Sequence, residues 1–121
     1  MKLTIPRSEL HRGLSRLQAI VEKRNSMPIL ANALLRATKG DRSQLEIAAT
    51  DLEVGLRGTH GADVSKAGSL TVSARKLFEI VRELPDEPVS LAATSNSYLE
   101  IQCNRVRFTL AGTAAEEFPT L

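Results

Sequence analysis

Aromatic residues are almost missing from this chain: 121 residues include no Trp, one Tyr and three Phe. With hydrophobic residues at 42%, a core must therefore be filled by Leu, Ile, Val and Ala. There is one cysteine, Cys103, set in a strand-like run and expected to be a buried structural thiol. No long apolar run and no signal-peptide pattern occurs, which together with the single cysteine leads to the expectation of a soluble, cytoplasmic protein with no membrane contact. No P-loop, dinucleotide fingerprint or zinc-ligand spacing is present, so no cofactor and no metal is expected. Ser73-Ala74-Arg75-Lys76 satisfies an S-x-x-K pattern but lacks its companion motifs, and helix capping accounts for the serine. Asp51 and Glu53 alternate on a run read as one strand (51–58), with no third ligand near them, so a solvated sheet face is expected. His11 and His60 show no evident partner in sequence. The chain carries no sign of an enzyme.

Net charge is also small, +2, so composition alone does not announce a polyanion binder. The distribution is more informative. Residues 7–24 hold five Lys/Arg against two Glu, and residues 75–84 hold three against two. The positive charge is thus gathered on the first of two amphipathic segments and the turn after it, where it attracts phosphate at short range.

That first segment, residues 7–22, organises the chain. At about 100° per residue, Leu10, Leu14, Leu17 and Val21 form one narrow apolar stripe. Arg12, Arg16 and Lys23 lie opposite, with Ser8, Ser15 and Ala19 between them, and Arg24 stands in the polar turn that follows. A second copy of the unit begins 67 residues later: residues 3–10 line up with residues 70–77, and Leu10, Leu14 and Leu17 match Leu77, Val81 and Leu84. Further on, Leu45-Glu46-Ile47 answers Leu99-Glu100-Ile101, and Leu56-x-Gly58 is aligned with Leu110-x-Gly112. Each half reads strand, helix, then three strands, an internal duplication within one domain of α+β class: two helices packed on antiparallel sheets. Residues 59–66 read as a loop, and the second helix ends at Pro85. In that helix Arg75 and Arg82 lie near the outer side, while Lys76 and Ile80, four apart, share a flank. Residues 113–121 are expected to begin an interdomain linker.

The motifs M-K-L-T-I at the start, M-P-I-L-A-N, T-D-L-E (50–53), S-A-R-K-L-F (73–78) and the closing E-F-P-T-L resemble, in order and spacing, the N-terminal domain of the bacterial sliding clamp family, the beta subunit of DNA polymerase III. The resemblance covers the whole chain. It departs in Ser73, where relatives often have proline, and in a longer turn at residues 39–44. It implies a DNA-clamp domain, residues 1–121, the first of three in a longer protein that closes head-to-tail as a dimeric ring around double-stranded DNA. The implied activity is that of a non-enzymatic processivity factor. Replicative polymerase and clamp loader would bind through domains outside this chain. The family's channel arginines fall on Arg24 and Arg75; helical geometry adds Arg12, Arg16, Lys23 and Arg82 as DNA-facing. Its ring-closing surface falls on Lys76, Ile80, Arg105, Arg107, Phe108 and Leu110, and the expected partner is the acidic third domain of a second protomer. The final strand, 105–110, is expected to be left with an unpaired edge, and Asp51 and Glu53 are expected at the related edge of the first half. The competing expectation is a protein-interaction module that uses open sheet edges and binds no DNA.

Overall fold

Both leucine stripes are buried against one face of an antiparallel sheet. The computed structural model describes residues 1–21 and 27–119. The chain runs through strand β1 (Lys2–Pro6), helix α1 (Arg7–Val21), a 3₁₀ turn (Pro28–Ala31) and strands β2 (Asn32–Thr38), β3 (Gln44–Thr50), β4 (Gly55–Gly61), β5 (Asp63–Lys66) and β6 (Gly68–Ser73). Helix α2 (Ala74–Glu83), strands β7 (Pro88–Ala93), β8 (Tyr98–Cys103) and β9 (Val106–Thr113) and a second 3₁₀ turn (Ala115–Glu117) complete it. The strand order is β4-β3-β2-β6-β9-β8-β7-β1-β5, with every neighbouring pair antiparallel.

The duplication expected from the sequence appears as an exchange of strands. The first strand of each half pairs with the other half: β1 with β7, and β6 with β2. Neither half can complete its sheet alone. Both helices then lie side by side on the same face, and His11 and Phe78, which are equivalent under the 67-residue shift, stack on each other with centroids 5.3 Å apart. The core between helices and sheet is aliphatic, as the shortage of aromatics requires: Leu10, Leu14, Leu17, Leu77 and Val81 meet Leu35, Ile47, Val72, Leu91 and Ile101, all buried. Cys103 is buried at its edge, and burial, followed by the charge of Glu87, pushes its thiol pKa up. That makes it a poor nucleophile, as expected.

Helix ends follow local chemistry. The Ser73 hydroxyl accepts from the Lys76 amide at 3.2 Å, which confirms its capping role. At the other end of α2, Arg7 from α1 donates through Nε to the Val81 carbonyl at 3.2 Å and through Nη2 to the Arg82 carbonyl at 2.8 Å. A cation on terminal carbonyls answers both their unmet acceptors and the negative end of the helix dipole, and here it also ties one helix to the other.

The structure corrects three readings of the first half. Residues 51–54 are a turn, not part of a strand. The Asp51 amide donates to the Val54 carbonyl at 3.1 Å, and Asp51 Oδ1 accepts from the amides of Glu53 and Val54 at 2.9 and 2.7 Å. A side chain that imitates a backbone turn outweighed polar–apolar alternation. Leu52 sits there at φ 79°, a strained value for a branched side chain. Secondly, residues 59–66 are not a loop: they finish β4 and form β5, which pairs with β1. Thirdly, the repeat alignment of the last strand was out of register. Ala49 pairs with Leu56 as Cys103 pairs with Val106, so Leu56 answers Val106 and Gly58 answers Phe108. The same shift takes Asp63 to Thr113, which face Thr4 and Thr71 respectively. Thus β4 and β5 together are the counterpart of β9. Six residues, Thr50 to Gly55, separate Ala49 from Leu56, against the two of Asn104 and Arg105 between Cys103 and Val106, and this difference causes the slip.

Under this corrected register His60 answers Leu110, and the two halves diverge there. His60 is 3% exposed, and its Nδ1 donates to Glu9 Oε1 at 2.8 Å; Glu9 is in turn held by Arg12. Both histidines therefore have partners, against expectation. Gly13 leaves room for the imidazole: a Cβ there would lie 2.6 Å from Nε2 of His60. At the end of the described chain Phe118 is buried on the opposite face of the sheet, against Leu34 and Ala48.

Gly13→Ala is expected to lower stability by about 1–3 kcal/mol through overpacking, although alanine is the better helix former. In a His60→Ala background the same change should stabilise; thermal melts of the four proteins in this cycle check both signs. A second expectation concerns acid. Glu9 is pulled below the ordinary glutamate pKa of 4.5, first by the hydrogen bond from His60 and then by Arg12. A depressed folded-state value contributes stability that is present above pH 4.5 and lost as pH falls through the depressed value. Melting curves from neutral to strongly acidic pH should show a smaller loss in that window for Glu9→Gln than for the parent.

Candidate nucleic-acid interface and apolar groove

The outer surfaces of α1 and α2 make one cationic layer. By formal charge α1 carries Arg7, Arg12 and Arg16 against Glu9, and α2 carries Arg75, Lys76 and Arg82 against Glu79 and Glu83. That is +2 and +1, more than the +2 of the whole chain. Arg12, Arg16, Arg75 and Arg82 are all exposed. Three of them are held by carboxylates of their own helix: Arg12 by Glu9 at 2.6 Å, Arg75 by Glu79 at 3.2 Å and, most loosely, Arg82 by Glu83 at 3.8 Å. Arg82 also lies 5.7 Å over the Phe78 ring. Arg16 has no ionic partner among the described residues and stands beside Arg57 and His60. Lys23 and Arg24 lie outside the described residues. Nothing enters from this layer like a reading head: the helices present their sides, not their ends, to a partner.

The residues expected to close a ring are divided by the structure. Lys76, Ile80, Phe108 and Leu110 come together, with Glu79 and Glu83, around a shallow groove of about 280 Å³ between α2 and β9. Ile80 and Leu110 touch the core, while Phe108 is 37% exposed. A large aromatic left this open in a protein with so few is a conspicuous apolar surface. Arg107 points to the opposite face of the sheet, where its Nη2 donates to Gln102 Oε1 at 3.2 Å. Arg105 lies in the turn before β9, outside any strand. The strand keeps a free edge close to the one expected: Val106–Ala111 pair only with β8, and pairing with β6 begins at Gly112 and Thr113.

At the matching place in the first half the described residues leave only a recess of about 60 Å³. There Gly13 stands for Ile80, Gly58 for Phe108 and His60 for Leu110, and the Glu9–His60 pair fills the flank. The expected acidic counterpart edge is not found. Asp51 and Glu53 are turn residues, and the position that answers Arg107 is Arg57, which pairs with Glu46 at 3.3 Å. Sequence reading missed Glu9 and Glu79 as members of the cationic layer. Their spacing to Arg12 and Arg75, three and four residues, was the available signal.

Among the described residues no group of three metal-ligating side chains occurs, and no helix is long and apolar enough to cross a membrane. Asp51 spends one carboxylate oxygen on its own turn.

The chain is 43% identical over 123 residues to a beta sliding clamp of Caulobacter vibrioides and 40% identical over 123 residues to one of Vibrio cholerae. All of this chain is covered in each case, but only 32% of either relative, so it spans about a third of their length. Among solved structures it matches a Caulobacter crescentus beta sliding clamp at a TM-score of 0.90 with 43% identity, covering 100% of this chain and 32% of that one. A Helicobacter pylori beta clamp bound to a DNA ligase peptide matches at 0.91 with 27% identity, covering 100% of this chain and 33% of that one. The family model described as DNA polymerase III beta subunit, N-terminal domain, matches residues 1–121. The chain therefore belongs to the DNA polymerase III beta subunit family and corresponds to its N-terminal domain.

Proposed function

We propose that this chain is the first domain of a ring-shaped sliding clamp, a non-enzymatic processivity factor that encircles duplex DNA and keeps the replicative polymerase on it. The observation that carries this reading is the continuous cationic layer made by two helices lying side by side. Helices that cross phosphate backbones sideways contact charge without entering a groove, so they hold any sequence alike. A few exposed arginines on a nearly neutral domain give weak, salt-sensitive attraction, which permits sliding. Retention then comes from topology, since a closed ring cannot leave DNA sideways. The names of its relatives support the same reading, and the H. pylori clamp with its ligase peptide supports client binding within the family. Polymerase and clamp loader would engage parts outside this chain, in the cytoplasm and on the nucleoid.

Arg12, Arg16, Arg75 and Arg82, together with Lys23 and Arg24, are the proposed DNA-facing set. Duplex DNA should bind this domain weakly and without sequence preference. With about two to four phosphate contacts, the slope of log K against log salt should be about −2 to −4. Arg24→Ala with Arg75→Ala should weaken binding equally on all sequences in fluorescence anisotropy. A sequence preference above about tenfold, or no dependence on salt, would favour the rival interaction module instead.

The groove of Lys76, Ile80, Phe108 and Leu110 is the proposed ring-closing surface, meeting the third domain of a second protomer, with Arg105 in the turn before β9 and Arg107 on the strand's other face as further proposed contacts of the same edge. A head-to-tail contact joins two different patches, and the much smaller recess at the equivalent place in the first half makes the two flanks of the domain unlike. Burial of Phe108 and Leu110 would contribute roughly 1.5–3 kcal/mol each. In the full-length protein Leu110→Asp should open the dimer, because the carboxylate would be buried without a partner. Analytical ultracentrifugation checks this: a variant that stays a tight dimer removes the role from this strand.

A further inference from the structure

Most of the charges of α2 run against the helix's own interest. Arg75 and Lys76 occupy its first turn, where the dipole favours anions, and Glu83 is its last residue, where the dipole favours cations; Arg82, in the last turn, is the exception. The Arg75–Glu79 pair has the cation N-terminal to the anion, the weaker of the two orientations. Helix stability therefore does not explain why an acidic residue, Glu79, lies opposite buried Ala74, Leu77 and Val81 on the outward face. A surface shaped only to attract DNA would not carry it either. Yet three of the four described channel arginines meet a carboxylate of their own helix; the Arg75–Glu79 and Arg82–Glu83 pairs are open to solvent, and Glu9 in the third is half-buried.

We propose that Glu9, Glu79 and Glu83 act as built-in competitors for DNA phosphate, setting the affinity of the cationic layer low enough for a duplex to move along it. The inference rests on the clamp reading above. An arginine that arrives at phosphate already paired must exchange one oxyanion for another, so the net gain is small. Because exposed pairs are weak, the exchange is also quick and repeatable. Nη2 of Arg12 reaches both oxygens of Glu9, at 2.6 and 2.7 Å, so it is the most firmly held. Burial of His60 anchors Glu9 in turn, which keeps that competitor in place. Arg16, unpaired among the described residues, supplies a contact free of competition.

The test uses a fluorescein-labelled duplex of arbitrary sequence, titrated by anisotropy over a range of salt. Glu79→Gln and Glu83→Gln, singly and together, should tighten binding about two- to fivefold per carboxylate at low salt. Each freed cation should also steepen the salt slope by up to about 0.9. Glu53→Gln makes the same change of net charge in the exposed turn before β4 and should leave affinity nearly unchanged. Circular-dichroism melts confirm that the variants are folded. If the parent binds DNA but Glu79→Gln and Glu83→Gln bind no tighter than Glu53→Gln, the carboxylates are not competitors, and the clamp reading stands without them. If neither the parent nor any variant shows salt-dependent binding, the clamp reading fails and this inference with it.

Discussion

Two short amphipathic helices must bury their leucine stripes, and one face of one sheet takes both. Nearly everything else depends on that seating. It makes the helices neighbours, with His11 stacked on Phe78 and Arg7 anchored on the last carbonyls of α2. It turns their polar sides outward together, so that arginines distant in sequence share a layer. It also draws the sheet into a single piece, because each half lends its first strand to the other. The fully buried side chains on the helix side are all aliphatic, with Phe78 partly buried against them, so stability there comes from area and close packing rather than from any specific polar bond.

Duplication makes two flanks, and in this domain they differ. The difference is made with very few side chains. Where the second half has Ile80 over Phe108 and Leu110, the first has Gly13 over Gly58 and His60. Replacing a bulky helix residue with glycine lets an imidazole tuck beneath the helix, and its hydrogen bond to Glu9 seals the surface. One flank is left as an open apolar groove and the other as a closed polar one. The same Glu9 also holds Arg12, so the device that closes the flank reaches into the cationic layer.

Charge in that layer is moderated rather than maximised. Most of its described arginines are paired within their own helix, and two of the three pairs are open to solvent. A surface of this kind offers phosphate many weak partners and no strong one, which suits a partner that must be held near yet not held still.

Periodicity and repetition in the sequence were enough to determine the strand–helix–three-strand unit, its duplication, the inward leucines and the cap at Ser73, because these follow from local spacing. They were also enough to place Lys76 with Ile80 and to bring Arg12, Arg16, Arg75 and Arg82 onto outward faces. Side-chain turn chemistry overrode alternation at Asp51, and that error carried the last strand of the first half out of register. Which face Arg107 occupies, how β5 completes β1 and why His60 is buried depend on strand pairing between distant segments. Such pairing is chosen by three-dimensional packing, and no local pattern records it. The Glu9–His60 contact joins residues on a helix and on a distant strand, and only the space left by Gly13 allows it. Linear order could show each of these three residues, but only the tertiary structure decided that they belong together.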